Sequence, residues 1–192
     1  MGKKFELTDK FIINVFGIKL FQIKCTKSFK YAQKGDLGGY VEKEGNLDQE
    51  NDAWVSGNAQ VSGNAWVSGN AQVSGNAQVS GNAQVSDNAR VYGNAWVYGD
   101  AWVYGNAWVY GDANIKNNNE HCGFDGFGSC NRHTHAYLTK EKKVEITCGC
   151  FRGSIEEFEK KVEETHSGTI YEKQYKAIIN VIKIKFGLTD LI

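Results

Sequence analysis

An aliphatic residue recurs at every sixth position from Val55 to Ile115, and an alanine recurs at the same interval from Ala53 to Ala113. A period of six fits neither an α-helix, with its period of about 3.6, nor a simple β-strand, with its period of 2. Self-similarity at a short fixed period indicates a solenoid in which each repeat packs on its neighbours. The middle of the chain is therefore predicted to fold as stacked coils.

Each repeat supplies the parts that such a coil requires. It reads V-S-G-N-A-x at first, as in residues 55–60, and changes to V-Y-G-N/D-A-W later, as in residues 97–102. The valine and alanine point inward, while the Gly-Asn or Gly-Asp pair forms a corner where a positive φ costs little. Three repeats close one triangular turn, so each valine should stack on the valine of the turn before, about 4.8 Å along the axis.

The same register can be extended in both directions. Backward it predicts a degraded first coil over residues 37–54, with Leu37 in the valine column and Val41 and Leu47 in the alanine column. Forward, the pattern fades after Ile115. Roughly four coils are expected, in a rod about 20 Å tall.

Both open ends of a solenoid must be covered, because they expose unpaired backbone groups. Alternating apolar residues on either side of Phe16-Gly17 predict an N-terminal β-hairpin cap within residues 1–36. The solenoid is expected over residues 37–116. Residues 117–192 are expected to form a small α+β domain with a hairpin and two helices, the first opened by a capping box at Ser154 and Glu157.

Composition limits the partners and the compartment. The 22 basic residues balance 22 acidic ones, so no net charge favours nucleic acid or a membrane surface. No apolar stretch reaches the roughly 18 residues that span a bilayer, and the N-terminus lacks the apolar block of a signal peptide. Five cysteines, an odd number, suit a reducing compartment. We expect a cytoplasmic protein.

Three stretches carry a family resemblance: residues 35–41 (GDLGGYV) leading into Asn46-Leu47, the repeat itself, and residues 148–153 (CGCFRG) before the helix at Ser154. With them the chain resembles hexapeptide-repeat proteins encoded by bacteriophages and prophages. The resemblance implies a left-handed parallel β-helix and a viral origin, and hence the cytoplasm of a host cell. It implies no particular reaction. Residues 130–135 depart from the Thr-rich run of that group, which argues against His133 or His135 as a ligand shared by its members.

The coils lack the groups that enzymes of this architecture use. Hexapeptide-repeat acyltransferases generally need a histidine general base, and β-helical carbonic anhydrases need three zinc-binding histidines from neighbouring coils. Residues 55–115 contain no histidine and no inserted loop. We therefore predict no catalytic residue and no cofactor, with an acyltransferase as the minority alternative. The histidines all lie in the C-terminal part of the chain, as His121, His133, His135 and His166.

Cysteines and histidines of the C-terminal part could supply a zinc site: Cys122, Cys130, His133, His135, Cys148 and Cys150. Alternation along a strand would place Cys148 and Cys150 on one side, and His133 and His135 on one side. No pair has the two-residue gap of a zinc knuckle, and cysteines often pack as small buried residues. The prediction is no metal site, with zinc left open.

Residues 123–134 are interpreted either as a ligand loop or as a connector. Their glycines would let backbone amides approach a phosphate, and Arg132 would supply a bidentate fork. Neutral hydrogen bonds would come from Ser129, Asn131 and Thr134.

Aromatic residues flank the inward valines of the last coil and must point outward: Trp96, Tyr98, Trp102, Tyr104, Trp108 and Tyr110. Six exposed aromatics exceed what a soluble monomer normally displays. They are interpreted as a homo-oligomer interface, with a trimer favoured. The alternative is that Trp and Tyr rings stack on a nucleobase beside Arg132.

The leading hypothesis is a non-catalytic phage accessory protein that oligomerises and sequesters a small nucleotide signal of host immunity. A purely structural or protein-docking rod is the first alternative, and an acyltransferase is the second. The predicted ligand-binding residues are Ser129, Asn131, Arg132, Thr134, Trp102, Trp108, Tyr104 and Tyr110.

Overall fold

The structure, a computed structural model, describes residues 2–188, so Met1 and residues 189–192 of the predicted terminal domains lie outside it. The protein is mainly β. A parallel β-solenoid of about four turns is followed by a four-stranded antiparallel sheet and two helices. None of the helices within residues 2–188 combines the length and the apolar character that crossing a membrane requires.

Three longer strands precede the regular coils: β1 (Phe5–Ile13), β2 (Lys19–Cys25) and β3 (Leu37–Val41). A 3₁₀ turn follows at Glu44–Asn46. The coils consist of two-residue strands, β4 to β14: Trp54–Val55, Gln60–Val61, Trp66–Val67, Gln72–Val73, Gln78–Val79, Gln84–Val85, Arg90–Val91, Trp96–Val97, Trp102–Val103, Trp108–Val109 and Asn114–Ile115.

The coils stack as the period predicts. In one face Val55 aligns with Val73, Val73 with Val91, and Val91 with Val109, each pair eighteen residues apart. These valines are fully buried, as are the alanines that accompany them, so the two columns form the dry interior of the solenoid. At the corners asparagine side chains form ladders, for example Asn58 Nδ2 to Asn76 Oδ1 at 3.2 Å.

The first coil contains twenty residues, and the predicted register over residues 37–54 was wrong. Val41 and Leu47 each pair with a valine twenty residues later, so both continue the column of branched side chains instead of the alanine column. A bend at residues 49–52 takes up the two additional residues before Ala53. Leu37, predicted to point inward, is 57% exposed.

The N-terminal cap extends one sheet of the solenoid. The predicted hairpin around Phe16-Gly17 is confirmed, with β1 and β2 antiparallel. Strand β2 also pairs with β3, which in turn pairs in parallel with β5 of the first full coil. The Lys4 ammonium donates hydrogen bonds to the carbonyls of Asn51 and Ala53, the latter at 2.8 Å. Burial lowers the pKa of Lys4 to about 8.

The C-terminal part contains β15 (His121–Phe127), β16 (Arg132–Leu138), β17 (Val144–Cys148), β18 (Phe151–Gly153), α1 (Ile155–His166) and α2 (Ile170–Lys185). The predicted capping box is confirmed. Ser154 Oγ accepts from the Glu157 amide at 3.2 Å, and Glu157 Oε2 accepts from the Ser154 amide at 2.8 Å. The predicted hairpin of β16 and β17 is confirmed as well.

The segment 123–134 is not a loop, because most of it belongs to an antiparallel hairpin of β15 and β16. Alternation gives this hairpin two faces. Phe124 and Ala136 on one face pack with the apolar residues of the two helices. His135 and Tyr137 on the other face meet the last coil, where Tyr137 Oη donates to the Tyr110 carbonyl at 3.4 Å. This second face positions the candidate site.

Candidate functional site

A cavity of about 360 Å³ lies between the last coil and the β15–β16 hairpin. This volume falls in the range of small-molecule sites, which are typically concave and largely apolar with a few polar groups. Trp102 and Tyr104 form its solenoid wall. The hairpin and the chain before it contribute the polar wall: Asn118, His121, Cys122, Gly123, Asp125, His133 and His135.

Strand pairing brings three histidines together in this cavity. His133 and His135 alternate along β16, and Gly123 lies opposite His135, so His121 falls on the same face two residues earlier. The ring centroids of His121 and His135 are 5.2 Å apart, and those of His133 and His135 are 5.7 Å apart. The prediction that His133 and His135 share a side is confirmed, but the contribution of His121 was missed.

The six ring nitrogens have distinct surroundings. His121 Nδ1 lies 3.0 Å from His135 Nε2. The other nitrogen of His121, Nε2, lies 3.3 Å from Asn118 Oδ1, and the other nitrogen of His135, Nδ1, lies 3.3 Å from the Trp108 carbonyl oxygen. His133 Nδ1 lies 2.8 Å from Asp125 Oδ1. His133 Nε2 is buried and has no hydrogen-bond partner within the described residues.

Burial controls the protonation of this cluster. It lowers the pKa of His121 to about 4, with a smaller contribution from the positive charge of Lys185. It also lowers the pKa of His135 well below its ordinary value, and the two neighbouring histidines act in the same direction. Desolvation raises the pKa of the Cys122 thiol to about 11. At neutral pH His121, His135 and Cys122 are therefore uncharged.

A smaller pocket of about 200 Å³ adjoins the cavity, and His133 lines both. Trp108 and Arg132 line it together with Thr147 and Gly149. The Arg132 side chain is exposed and makes no ion pair with any described residue. This pocket therefore combines an aromatic surface with an uncompensated positive charge.

The predicted ligand-binding residues separate into groups. Trp102 and Tyr104 line the larger cavity, and Trp108 and Arg132 line the smaller pocket. The others line neither. Ser129 and Asn131 lie exposed in the hairpin turn, Tyr110 stacks beneath the Arg152 guanidinium at 4.4 Å, and Thr134 is fully buried and donates to Cys148 Sγ at 3.3 Å.

The aromatic belt points outward as predicted, yet its three faces differ. Trp96 packs against Phe16 of the N-terminal hairpin, with ring centroids 5.9 Å apart. Trp108 lies under the Arg90 guanidinium at 5.2 Å. Trp102 and Tyr104 remain 48% and 56% exposed. The open aromatic surface is therefore the one at the mouth of the larger cavity.

The five cysteines are free thiols. Cys148 is buried and Cys150 is exposed, so the prediction that they share one side was wrong. The reason is Gly149, whose φ of +60° turns the chain immediately after β17. Within residues 2–188 no group of three or more His, Cys, Asp or Glu side chains is arranged so that it could hold a metal ion as it stands.

Comparison with known proteins supports the solenoid. Residues 53–69, 59–75, 83–99 and 95–111 are similar to a family described as the YdcK Beta solenoid repeat. The matched segments cover residues 53–75 and 83–111, less than a third of the chain, and leave both caps outside. No curated protein shows a significant match.

Proposed function

We propose that this protein binds a small nucleotide-type ligand across the two adjoining pockets and does not transform it. The observation that carries the proposal is that His133 lines both pockets. The larger cavity has the exposed rings of Trp102 and Tyr104, and the smaller pocket has the Arg132 guanidinium, which forms no ion pair with the described residues. A nucleotide has the matching two-part character of a planar base and an anionic phosphate.

The base belongs in the larger cavity. Trp102 and Tyr104 are neighbours, with ring centroids 5.3 Å apart, and both are exposed at its mouth. Stacking of a base on an aromatic side chain contributes about 1–3 kcal/mol. The Asp125 carboxylate, also in this cavity, would accept a hydrogen bond from an exocyclic amine and repel a phosphate. The acidic group therefore fixes the orientation of the ligand.

The phosphate belongs in the smaller pocket. Arg132 is the one cationic side chain among the described residues that line it, and a guanidinium binds phosphate through two parallel N–H···O bonds. Arg132 lines this pocket together with Trp108, which belongs to the last coil. The ligand would thus bridge the solenoid and the C-terminal hairpin.

The biological setting rests on the resemblance to phage and prophage proteins carried by residues 35–41 and 148–153. It supports a viral protein that sequesters a nucleotide signal of host immunity in the host cytoplasm. The same resemblance supports left-handed coils built of hexapeptide repeats.

Isothermal titration against cyclic mononucleotides, cyclic dinucleotides and ADP-ribose derivatives tests the proposal. We expect saturable binding of at least one class. Trp102→Ala should weaken that binding about tenfold or more, since stacking is lost. Trp66→Ala is the matched control, because Trp66 occupies the equivalent outward position two coils earlier, outside the pockets.

Arg132→Ala should abolish phosphate-dependent binding, whereas Arg132→Lys should retain part of it. Flat titrations throughout the panel would refute the proposal, as would equal effects of the two tryptophan variants. Acetyl-coenzyme A in the same panel tests the acyltransferase alternative.

Self-association is a second candidate function, favoured by the exposure of Trp102 and Tyr104 and of Val15 at the tip of the N-terminal hairpin, which is 86% exposed. A homotrimer would bury such surfaces between coils of neighbouring subunits. Light scattering after size exclusion should then give three times the mass of one chain. Trp102→Asp should reduce the measured mass to that of a single chain. A single-chain mass at every concentration would contradict this candidate.

A further inference from the structure

We infer that His121, His133 and His135 form a binding site for a divalent transition-metal ion on the polar wall of the larger cavity. Imidazole nitrogens favour zinc, copper, nickel and iron, and three histidines are a common zinc ligand set. The inference is independent of the proposed nucleotide, because it rests on the ring nitrogens alone.

Asn118 determines which nitrogen of His121 carries hydrogen. Asn118 Oδ1 accepts a hydrogen bond from the Trp102 amide at 2.8 Å, which fixes the orientation of its side-chain amide. The same oxygen lies 3.3 Å from His121 Nε2. Since an oxygen acceptor faces Nε2, this nitrogen is the donor, and His121 Nδ1 presents a lone pair to the cavity.

The Trp108 carbonyl does the same for His135. It lies 3.3 Å from His135 Nδ1, and a carbonyl oxygen only accepts. His135 Nε2 therefore also presents a lone pair. This ring is 1% exposed, so water cannot satisfy it freely.

The two lone pairs lie against each other. His121 Nδ1 and His135 Nε2 are 3.0 Å apart, which is unfavourable unless a cation lies between them. Two nitrogens bound to one tetrahedral zinc ion are about 3.3 Å apart. A metal ion therefore accounts for the spacing with a small adjustment. In the competing arrangement, one ring loses its 3.3 Å hydrogen bond to Asn118 or to the Trp108 carbonyl and instead donates an N–H to the other ring.

His133 supplies the third nitrogen. His133 Nδ1 lies 2.8 Å from Asp125 Oδ1. His133 Nε2 is buried and has no hydrogen-bond partner among the described residues. Metal-binding histidines almost always donate their outer N–H to a carboxylate, a carbonyl or water. All three rings have such an outer acceptor, namely an amide oxygen, a carboxylate and a carbonyl.

The site is incomplete until the His133 ring turns, because the three nitrogens do not yet surround one point. Gly123 has no side chain to obstruct the His133 ring, since a Cβ at this position would lie 2.7 Å from His133 Cε1 as the ring now stands. With three protein ligands, the fourth position would open into the cavity. That arrangement is the one found where zinc binds water or a substrate.

The test is titration of EDTA-treated, reduced protein with Zn²⁺ and, for spectroscopy, with Co²⁺. We expect one ion per chain and, for Co²⁺, visible d–d absorption of a nitrogen-rich site. His121→Ala and His135→Ala should each lower the affinity at least 100-fold. Asp125→Asn should lower it 10- to 100-fold, as loss of an outer acceptor does.

His166→Ala is the matched control, because His166 lies on α1 outside the cavity. It should leave the metal affinity unchanged. The double variant with Cys130→Ser and Cys150→Ser should also bind the ion with unchanged affinity. Absence of uptake by the wild-type chain would overturn the inference and support the hydrogen-bonded pair. Loss of uptake in the cysteine variant would overturn it in favour of a thiolate site. If a histidine variant fails to fold, the Co²⁺ spectrum of the wild-type chain and the uptake by the cysteine variant still test for a nitrogen-rich site.

Discussion

The two ends of the solenoid are closed by different means. At the N-terminal end backbone pairing closes most of it, because β3 pairs with β5 and continues a solenoid sheet into the hairpin, and the Lys4 ammonium adds bonds to the Asn51 and Ala53 carbonyls. At the C-terminal end the backbone contributes the Ala113–Thr139 bridge and the Lys140 amide, which donates to the Asp112 carbonyl at 3.0 Å, and side chains contribute much of the remaining closure. His135 Nδ1 and Thr147 Oγ1 both approach the Trp108 carbonyl, at 3.3 and 3.1 Å.

This difference explains where the candidate site lies. Backbone pairing holds neighbouring strands about 4.8 Å apart and leaves little space between them. At the other end His135 and Thr147 reach across to a carbonyl of the last coil, and the cavity lies between that coil and the hairpin. The C-terminal cap is therefore both a cover and a binding surface. Four predictions examine the contrast.

Acid should weaken the C-terminal cap most. The folded pKa of His121 is about 4 and its unfolded value about 6.5, so the unfolded chain binds more protons between these pH values. Stability is thus full above pH 6.5 and falls as the pH drops toward 4, by about 3 kcal/mol from His121 alone. Urea unfolding of metal-free protein at pH 7.5 and 4 measures the loss.

Hydrogen exchange, corrected for intrinsic rates, should place that acid-induced opening in residues 121–138 and not in residues 5–25. His166→Gln should leave the acid loss unchanged. Equal opening of both caps would remove the distinction between them.

Gly38→Ala should damage the N-terminal cap by about 2–3 kcal/mol. A Cβ at Gly38 would lie 2.5 Å from Ile23 Cγ1 and 2.6 Å from the Val55 carbonyl oxygen, and neither can move freely. Gly123→Ala is the counterpart at the other end, where the added carbon would collide only with the His133 ring and lie in ordinary contact with His135 Cδ2, at 3.6 Å. It should cost less than about 1 kcal/mol. Thermal or urea unfolding compares them, and similar losses would contradict the contrast.

Lys4→Met should cost about 2 kcal/mol, since it leaves the Asn51 and Ala53 carbonyls without their donor. The folded pKa of Lys4, about 8, lies below its ordinary value of 10.5. Between these pH values the unfolded chain binds more protons, so the wild type should gain stability relative to Lys4→Met as the pH rises. If the free energies of unfolding of the wild type and of Lys4→Met differed by the same amount from pH 7 to 10.5, Lys4 would not be buried.

Ser154→Ala should have the smallest effect, about 1 kcal/mol, because it removes one side-chain cap from α1. The loss should be confined to the C-terminal cap and leave amide protection of residues 55–115 intact. Thr169→Ala, which removes the corresponding cap of α2, should match it. Any loss of protection in the coils would indicate that the helices support the solenoid directly.

The sequence predicts the solenoid well because each coil repeats the same local requirement. The valine column and the glycine corners are local, and so is the capping box at Ser154. The prediction for the first coil was wrong because Val41 and Leu47 lie in the valine column and not in the alanine column, as the bend at residues 49–52 allows. A two-residue insertion changes the register without changing the hydrophobic pattern.

The candidate site was harder to predict because it depends on a contact between distant parts of the chain. Reading residues 123–134 as a loop concealed the alternation of His121, Gly123 and Asp125 on β15. Pairing that strand with His133 and His135 on β16 would have indicated three histidines on one face. That this face meets Trp102 and Tyr104 follows only from the three-dimensional structure.

The central claim is that the C-terminal cap directs one ring nitrogen of each of three histidines into its cavity as a metal ligand. Long-range ¹H–¹⁵N correlation spectra of the Zn²⁺-loaded protein at pH 7.5 report the histidine tautomers directly. The account predicts hydrogen on Nε2 of His121 and on Nδ1 of His133 and His135. Hydrogen on Nδ1 of His121 or on Nε2 of His135 would contradict it.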